Sequence, residues 1–151
     1  MTSLHAHFAA RLRLLRVLMI VGIAVAPTIV QARSESYYQR LYCSGMELEH
    51  QLPSGGRVDC LSPEYAIEMD WAEKWAEAVG QSLYYARATE RDPGIILLCP
   101  SSDIHAEGLC RSYLYRLADA LSQIEGKVAV WECFVDSDRR LDDCLKPDLN
   151  E

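Results

Sequence analysis

The 151-residue sequence predicts an exported α/β domain in which a mixed sheet is flanked by helices. Three observations carry that expectation. An arginine-led apolar segment opens the chain, the apolar spacing then switches between a period of two and a period near 3.6, and six cysteines are spread through the remainder. Strands and crossover helices account for the second observation, and disulfides in an oxidising compartment account for the third.

The opening segment has the three parts of a secretory signal peptide. Arg11, Arg13 and Arg16 precede an apolar run from Val17 to Val30, and Val30-Gln31-Ala32 places small residues where a signal peptidase reads them. The run is shorter than the roughly 20 residues that span a bilayer as a helix, and Pro27 interrupts it. The expected product begins near Arg33 and is periplasmic or secreted, without a stable membrane span. Residues 33–135 are expected to form one domain and residues 136–151 a loosely ordered acidic tail.

Removing residues 1–32 leaves 119 residues and takes away Arg11, Arg13 and Arg16, which moves the formal charge from −7 to −10. An acidic domain of this kind does not support tight nonspecific binding to nucleic acid, which rests on Lys/Arg–phosphate contacts. Any basic groove has to come from clustering, for example of Arg87, Arg91, Arg111 and Arg116. All six cysteines lie after the leader, and none shows the C-x-x-C spacing of zinc or thioredoxin-like sites. Six cysteines allow 15 pairings. Neighbourhood along the chain favours Cys43 with Cys60, Cys99 with Cys110, and Cys133 with Cys144.

The elements follow in order. Residues 34–42 read as a short helix capped by Ser34 or Ser36. Residues 46–52 alternate, with Met46, Leu48 and Leu52 on one side and Glu47, Glu49 and Gln51 on the other, so one acid there is a candidate accessory group. Pro53-Ser54-Gly55-Gly56 turns the chain into a second strand, residues 57–61, and Ser62-Pro63-Glu64-Tyr65 turns it into a third, residues 65–70. A helix is expected over residues 71–89, with Trp71, Trp75, Val79, Leu83 and Ala86 as its apolar stripe. Pro93-Gly94 reads as a break before a buried strand, Ile95 to Leu98. A last helix, residues 109–124, carries Leu114, Leu117, Ala118 and Leu121 on one face, and residues 127–133 form the final strand. The order is α-β-β-β-α-β-α-β, a meander followed by helical crossovers.

With Pro63 and Glu64 at the centre of the turn, Cys60 faces Ile67 and Asp59 faces Glu68. Alternation then sends Arg57, Asp59, Leu61, Ala66, Glu68 and Asp70 to one face, and Val58, Cys60, Ile67 and Met69 to the other. Directly opposed carboxylates destabilise a hairpin, so this face needs solvent, a basic neighbour or a cation. Lys74, Gln81 and Tyr85 fall within about 40° of one another on the following helix and run along the rim of the same face.

At these residues the chain resembles the PD-(D/E)XK nuclease superfamily, the restriction-endonuclease-like fold. Asp59 stands for the Asp of the first strand and Glu68-Met69-Asp70 for the acidic-x-Lys of the next. Gln81-Ser82-Leu83-Tyr84-Tyr85 matches the Q-x-x-x-Y helix motif of RecB-type exonucleases. The resemblance covers about residues 34–133 and implies an αβββαβ core. It implies a divalent cation, Mg²⁺ or Mn²⁺, held by Asp59, Glu68 and the Met69 carbonyl, and hydrolysis of the phosphodiester bonds of DNA or RNA. Gln81, Tyr85 and Arg57 become substrate-binding candidates, with Arg57 either neutralising the carboxylates or touching phosphate. Hard cations favour such oxygen ligands, and a bound cation offsets phosphoryl charge and activates water.

The sequence departs from the pattern at Asp70, where the family carries its lysine. Lys74, one helical turn on, is a substitute cation. Asp70 is alternatively a third carboxylate for a second metal, or the mark of an inactive nuclease-fold binding or interaction module. Other chemistries have little support: only His50 and His105 follow the leader, and neither G-x-S-x-G nor H-E-x-x-H occurs.

Overall fold

A computed structural model describes residues 33–149. The expected leader, residues 1–32, lies outside the described residues. Eight principal elements follow one another: α1 (Glu35–Tyr42), β1 (Glu47–Gln51), β2 (Arg57–Leu61), β3 (Tyr65–Trp71), α2 (Trp75–Thr89), β4 (Asp92–Cys99), α3 (Ile104–Leu121) and β5 (Ala129–Phe134). The strands form one mixed sheet in the order β1-β2-β3-β4-β5. β1, β2 and β3 are antiparallel neighbours, whereas β3, β4 and β5 run parallel. Among the described residues no helix is long and apolar enough to cross a membrane.

Alternation along β4 divides the core. Ile95, Leu97 and Cys99 pack with Leu114, Leu117 and Leu121 of α3 and Ala78 of α2. Ile96 and Leu98 pack instead with Tyr38, Tyr42, Met69 and Trp131. Helices therefore cover both faces, α2 and α3 on one and α1 on the other. Each fully apolar β4 side chain has a layer to enter, which is why that run does not alternate with polar residues.

Pro93 and Gly94 do not break the chain before β4; they belong to it, opposite Ala66 and Ile67. Pro93 is tolerated because β5 pairs with β4 only from Gly94 onward, which leaves Pro93 at a locally unpaired edge where no N–H is needed. At Gly94 a Cβ would come within 2.8 Å of Ile67 Cγ1 and 3.2 Å of Trp131 Cζ3, so glycine permits a close crossing of β3, β4 and β5. Trp71 differs from expectation too. It ends β3 and meets Tyr38 edge-on at 5.9 Å, while a 3₁₀ turn, Ala72–Lys74, separates it from α2. Helix α3 starts earlier than periodicity indicates, because Asp103 caps it by accepting from the His105 and Ala106 N–H groups.

The three cysteine pairs are those favoured by neighbourhood, with Cα separations of 5.9, 5.8 and 4.6 Å for Cys43–Cys60, Cys99–Cys110 and Cys133–Cys144. They fit an oxidising, exported environment. The stretch of residues 135–145 is tied to the domain. Asp138 accepts the Phe134 N–H at 2.7 Å, and Leu145 exchanges two backbone hydrogen bonds with Glu132. With Cys144 tied to Cys133, the segment lies along the outer edge of β5.

Candidate carboxylate site

The hairpin β2–β3 holds the predicted register where it is tightest, pairing Cys60 with Ile67 and Leu61 with Ala66. Beyond Cys60 the ladder gives way. Asp59 turns its carboxylate onto β3 and accepts the Met69 N–H through Oδ2 at 2.9 Å. A side chain thus replaces the backbone partner of that N–H. Val58 is displaced from the face expected for it and packs with Leu52, Ala66 and Tyr85 instead of Cys60, Ile67 and Met69.

The result is a polar cleft of about 470 Å³. All seven residues singled out on chemical grounds line it: Arg57, Asp59, Glu68, Asp70, Lys74, Gln81 and Tyr85. Strand β3 presents Glu68 and Asp70 on alternate positions toward α2, and α2 contributes Gln81 and Tyr85 one turn apart. Their side chains lie 3.4 Å apart, Gln81 Nε2 to Tyr85 Oη, near the limit of a hydrogen bond. Gly56 lets the β1–β2 turn sit against this wall, since a Cβ there would lie 3.1–3.2 Å from Tyr84, Leu52 and Tyr85.

Glu68 is 6 % exposed and Asp70 is 4 % exposed, unusual burial for carboxyl groups. Burial, followed by the charges of Asp59, Asp70 and Glu35, pushes the Glu68 carboxyl up to about 9. A hydrogen bond between the two carboxyl groups favours the proton on Glu68 and the charge on Asp59. Burial raises Asp59 as well, opposed by the Met69 N–H. Glu68 Oε2 is buried with no hydrogen-bond partner among the described residues. Asp70 is better served: its Oδ1 accepts the Trp71 N–H at 2.8 Å and meets Lys74 Nζ at 3.0 Å. That contact in turn raises the Lys74 ammonium.

Sequence reasoning missed three contributors. Glu35, at the start of α1, lines the cleft, and burial followed by the Asp70 and Asp59 charges raises its carboxyl. Glu77 lines the same cleft from α2. Gln39 is the third: its Nε2 donates to the Asp59 carbonyl at 2.9 Å and to Glu49 Oε1 at 2.6 Å. Glu49 has a left-handed φ of 58°, uncommon for a residue with a side chain, and its other oxygen meets Arg57 Nε at 2.5 Å. The only available sequence signal was the polar spacing Glu35–Gln39, one helical turn apart.

Arg57 and Lys74 are thus both engaged by carboxylates, and none of Arg87, Arg91, Arg111 and Arg116 lines the cleft. Its acids outnumber its cations, and its donor set is all oxygen, the kind suited to a hard divalent cation. Among the described residues, the group of potential metal ligands whose ligating atoms all lie within 4.8 Å of one another is Cys99, Cys110 and Glu132, not the cleft carboxylates. Both sulfurs are spent in a disulfide, so that group does not resemble a magnesium site. No protein-family profile, curated protein or solved structure matches the chain.

Proposed function

We propose that the protein is an exported, Mg²⁺- or Mn²⁺-dependent nuclease-like phosphodiester hydrolase acting on DNA or RNA. The observation that carries this reading is the buried, unpartnered Glu68 Oε2 beside Asp59 and Asp70. A buried carboxyl oxygen without a partner is costly, and a divalent cation that displaces the Glu68 proton supplies one.

Asp59 Oδ1, Glu68 and Asp70 would hold the cation, which when bound offsets phosphoryl charge and lowers the pKa of water. Oδ2 of Asp59 is already fixed by the Met69 N–H, which orients the remaining oxygen. Lys74 stands next to Asp70 and takes the role of the family lysine, a positive charge near the attacked phosphate. Arg57 lies on the rim, where a phosphate can compete with Glu49 for its guanidinium. Gln81 and Tyr85 orient the substrate strand by hydrogen bonding. The acidic interior favours phosphate binding only after cation loading, since like charges repel.

The test is cleavage of plasmid, linear and single-stranded DNA and of RNA by the oxidised protein with Mg²⁺ or Mn²⁺. Cleavage is expected in the wild type and loss in Glu68→Ala. No cleavage in the wild type, or equal cleavage in the variant, overturns the enzymatic reading. Saturable Mn²⁺ binding without cleavage would favour the alternative of an inactive nuclease-fold binding module, for which Asp70 in the lysine position is the specific observation.

A further inference from the structure

Helix α1 supplies part of the cleft wall through Glu35. It has eight residues, too few to be stable alone, so its position depends on what it packs against and what ties it down. Tyr38 and Tyr42 bury one side of it in the core. Its neighbouring side carries Glu35 and Gln39. Glu35 lines the cleft. Gln39, 5 % exposed, ties the Asp59 carbonyl to Glu49. Immediately after α1, Cys43 is joined to Cys60, the residue next to Asp59. One covalent bond therefore links the helix to the strand that bears a proposed ligand, and both sulfur-bearing residues are buried.

We propose that the Cys43–Cys60 disulfide is a redox latch on the carboxylate site, holding Gln39 as a positioning residue for Asp59 and Glu35 at the wall, so that the divalent-cation site is complete only in the oxidised protein. This rests on the cation-site reading above. Reduction breaks the S–S bond, the two sulfurs taking two electrons and two protons, and frees α1 from β2. In a reducing compartment the chain then lacks a finished cation site, and it acquires one on oxidation. The latch confines metal-dependent chemistry to the compartment where the disulfide persists.

Binding linkage provides the test, since a cation that favours the docked helix must also oppose its release. The oxidised protein is treated with a phosphine reductant, which takes oxygen from water as it becomes its oxide, and each cysteine pair is followed by alkylation and peptide mass analysis. With Mn²⁺ at ten times its dissociation constant, reduction of Cys43–Cys60 is expected to slow about tenfold, and that of Cys99–Cys110 and Cys133–Cys144 by less than twofold. Equal rates for Cys43–Cys60 with and without Mn²⁺ overturn the latch. Gln39→Leu, with all three disulfides intact, is expected to weaken Mn²⁺ binding about tenfold; affinity within twofold of the wild type also overturns it. If the oxidised wild type binds no Mn²⁺, the cation site itself fails and the latch with it. If it binds while the reduction rate is indifferent, only the latch fails.

Discussion

Asp59 Oδ2 accepts the backbone N–H of Met69 at 2.9 Å, so one carboxylate both closes the end of a strand ladder and faces a polar cleft. The two roles separate by substitution. Asp59→Asn keeps an oxygen for the Met69 N–H and is expected to fold with near wild-type stability while losing Mn²⁺ affinity. Asp59→Ala leaves the N–H without its acceptor and should cost about 1–3 kcal/mol as well. Denaturant melts alongside Mn²⁺ titration distinguish the two. Equal destabilisation by both variants would show that the hydrogen bond is not what Asp59 contributes to the fold.

Glu68 makes the fold sensitive to pH. Its carboxyl is raised from an ordinary 4.5 to about 9 in the folded chain. Between those values the unfolded chain ionises freely while the fold retains the proton. Stability therefore falls as pH rises through this window, by at most about 1.4 kcal/mol per pH unit for one proton. Glu68→Gln should be more stable than the wild type at pH 8 and nearly equal to it at pH 4. Mn²⁺ should raise the wild-type melting temperature at pH 8 more than at pH 5, because a cation binds the ionised carboxyl. Thermal melts across pH check both, and a wild-type stability that climbs from pH 5 to 8 in parallel with the variant would contradict the assignment.

Lys74, at the end of the 3₁₀ turn, contacts Asp70 of β3 at 3.0 Å. In the nuclease reading, Lys74→Met is expected to lower turnover by about 10²-fold, with Mn²⁺ affinity within a few-fold of the wild type. Lys74→Arg should recover part of the rate, since charge is kept and geometry altered. Single-turnover cleavage is the measurement. Full activity in Lys74→Met would remove it from the site.

Gly94 sits where three strands crowd together. Gly94→Ala places a Cβ 2.8 Å from Ile67 Cγ1 and 3.2 Å from Trp131 Cζ3. The overpacking should cost about 1–3 kcal/mol, read as a lower denaturation midpoint at an unchanged slope. Unaltered stability would mean that the Ile67 side chain yields freely.

Much of the architecture was legible because it is local. The Pro63-Glu64 turn implies the Cys60–Ile67 and Leu61–Ala66 pairs, and short separations along the chain imply the three disulfides. What escaped depends on tertiary context. Pro93 and Gly94 look like a break, yet their place in β4 is determined by the strands on either side. Trp71 fits a helical stripe by spacing but is held in the sheet by pairing with Leu98. Of the site, the residues on β2, β3 and α2 were legible as a spaced pattern. Glu35 and Gln39 were not, because a disulfide and a packed helix bring them there from outside the motif.

The strip of chain that Leu145 lays along β5 has a practical consequence. Its two hydrogen bonds with Glu132 and the Cys133–Cys144 bridge occupy an edge that would otherwise invite another strand. A protein shortened before Cys144 would carry an unpaired Cys133 and a bare strand together. Such a product is primed to cross-link and to stack with its own copies, so the chain is best kept through at least Leu145.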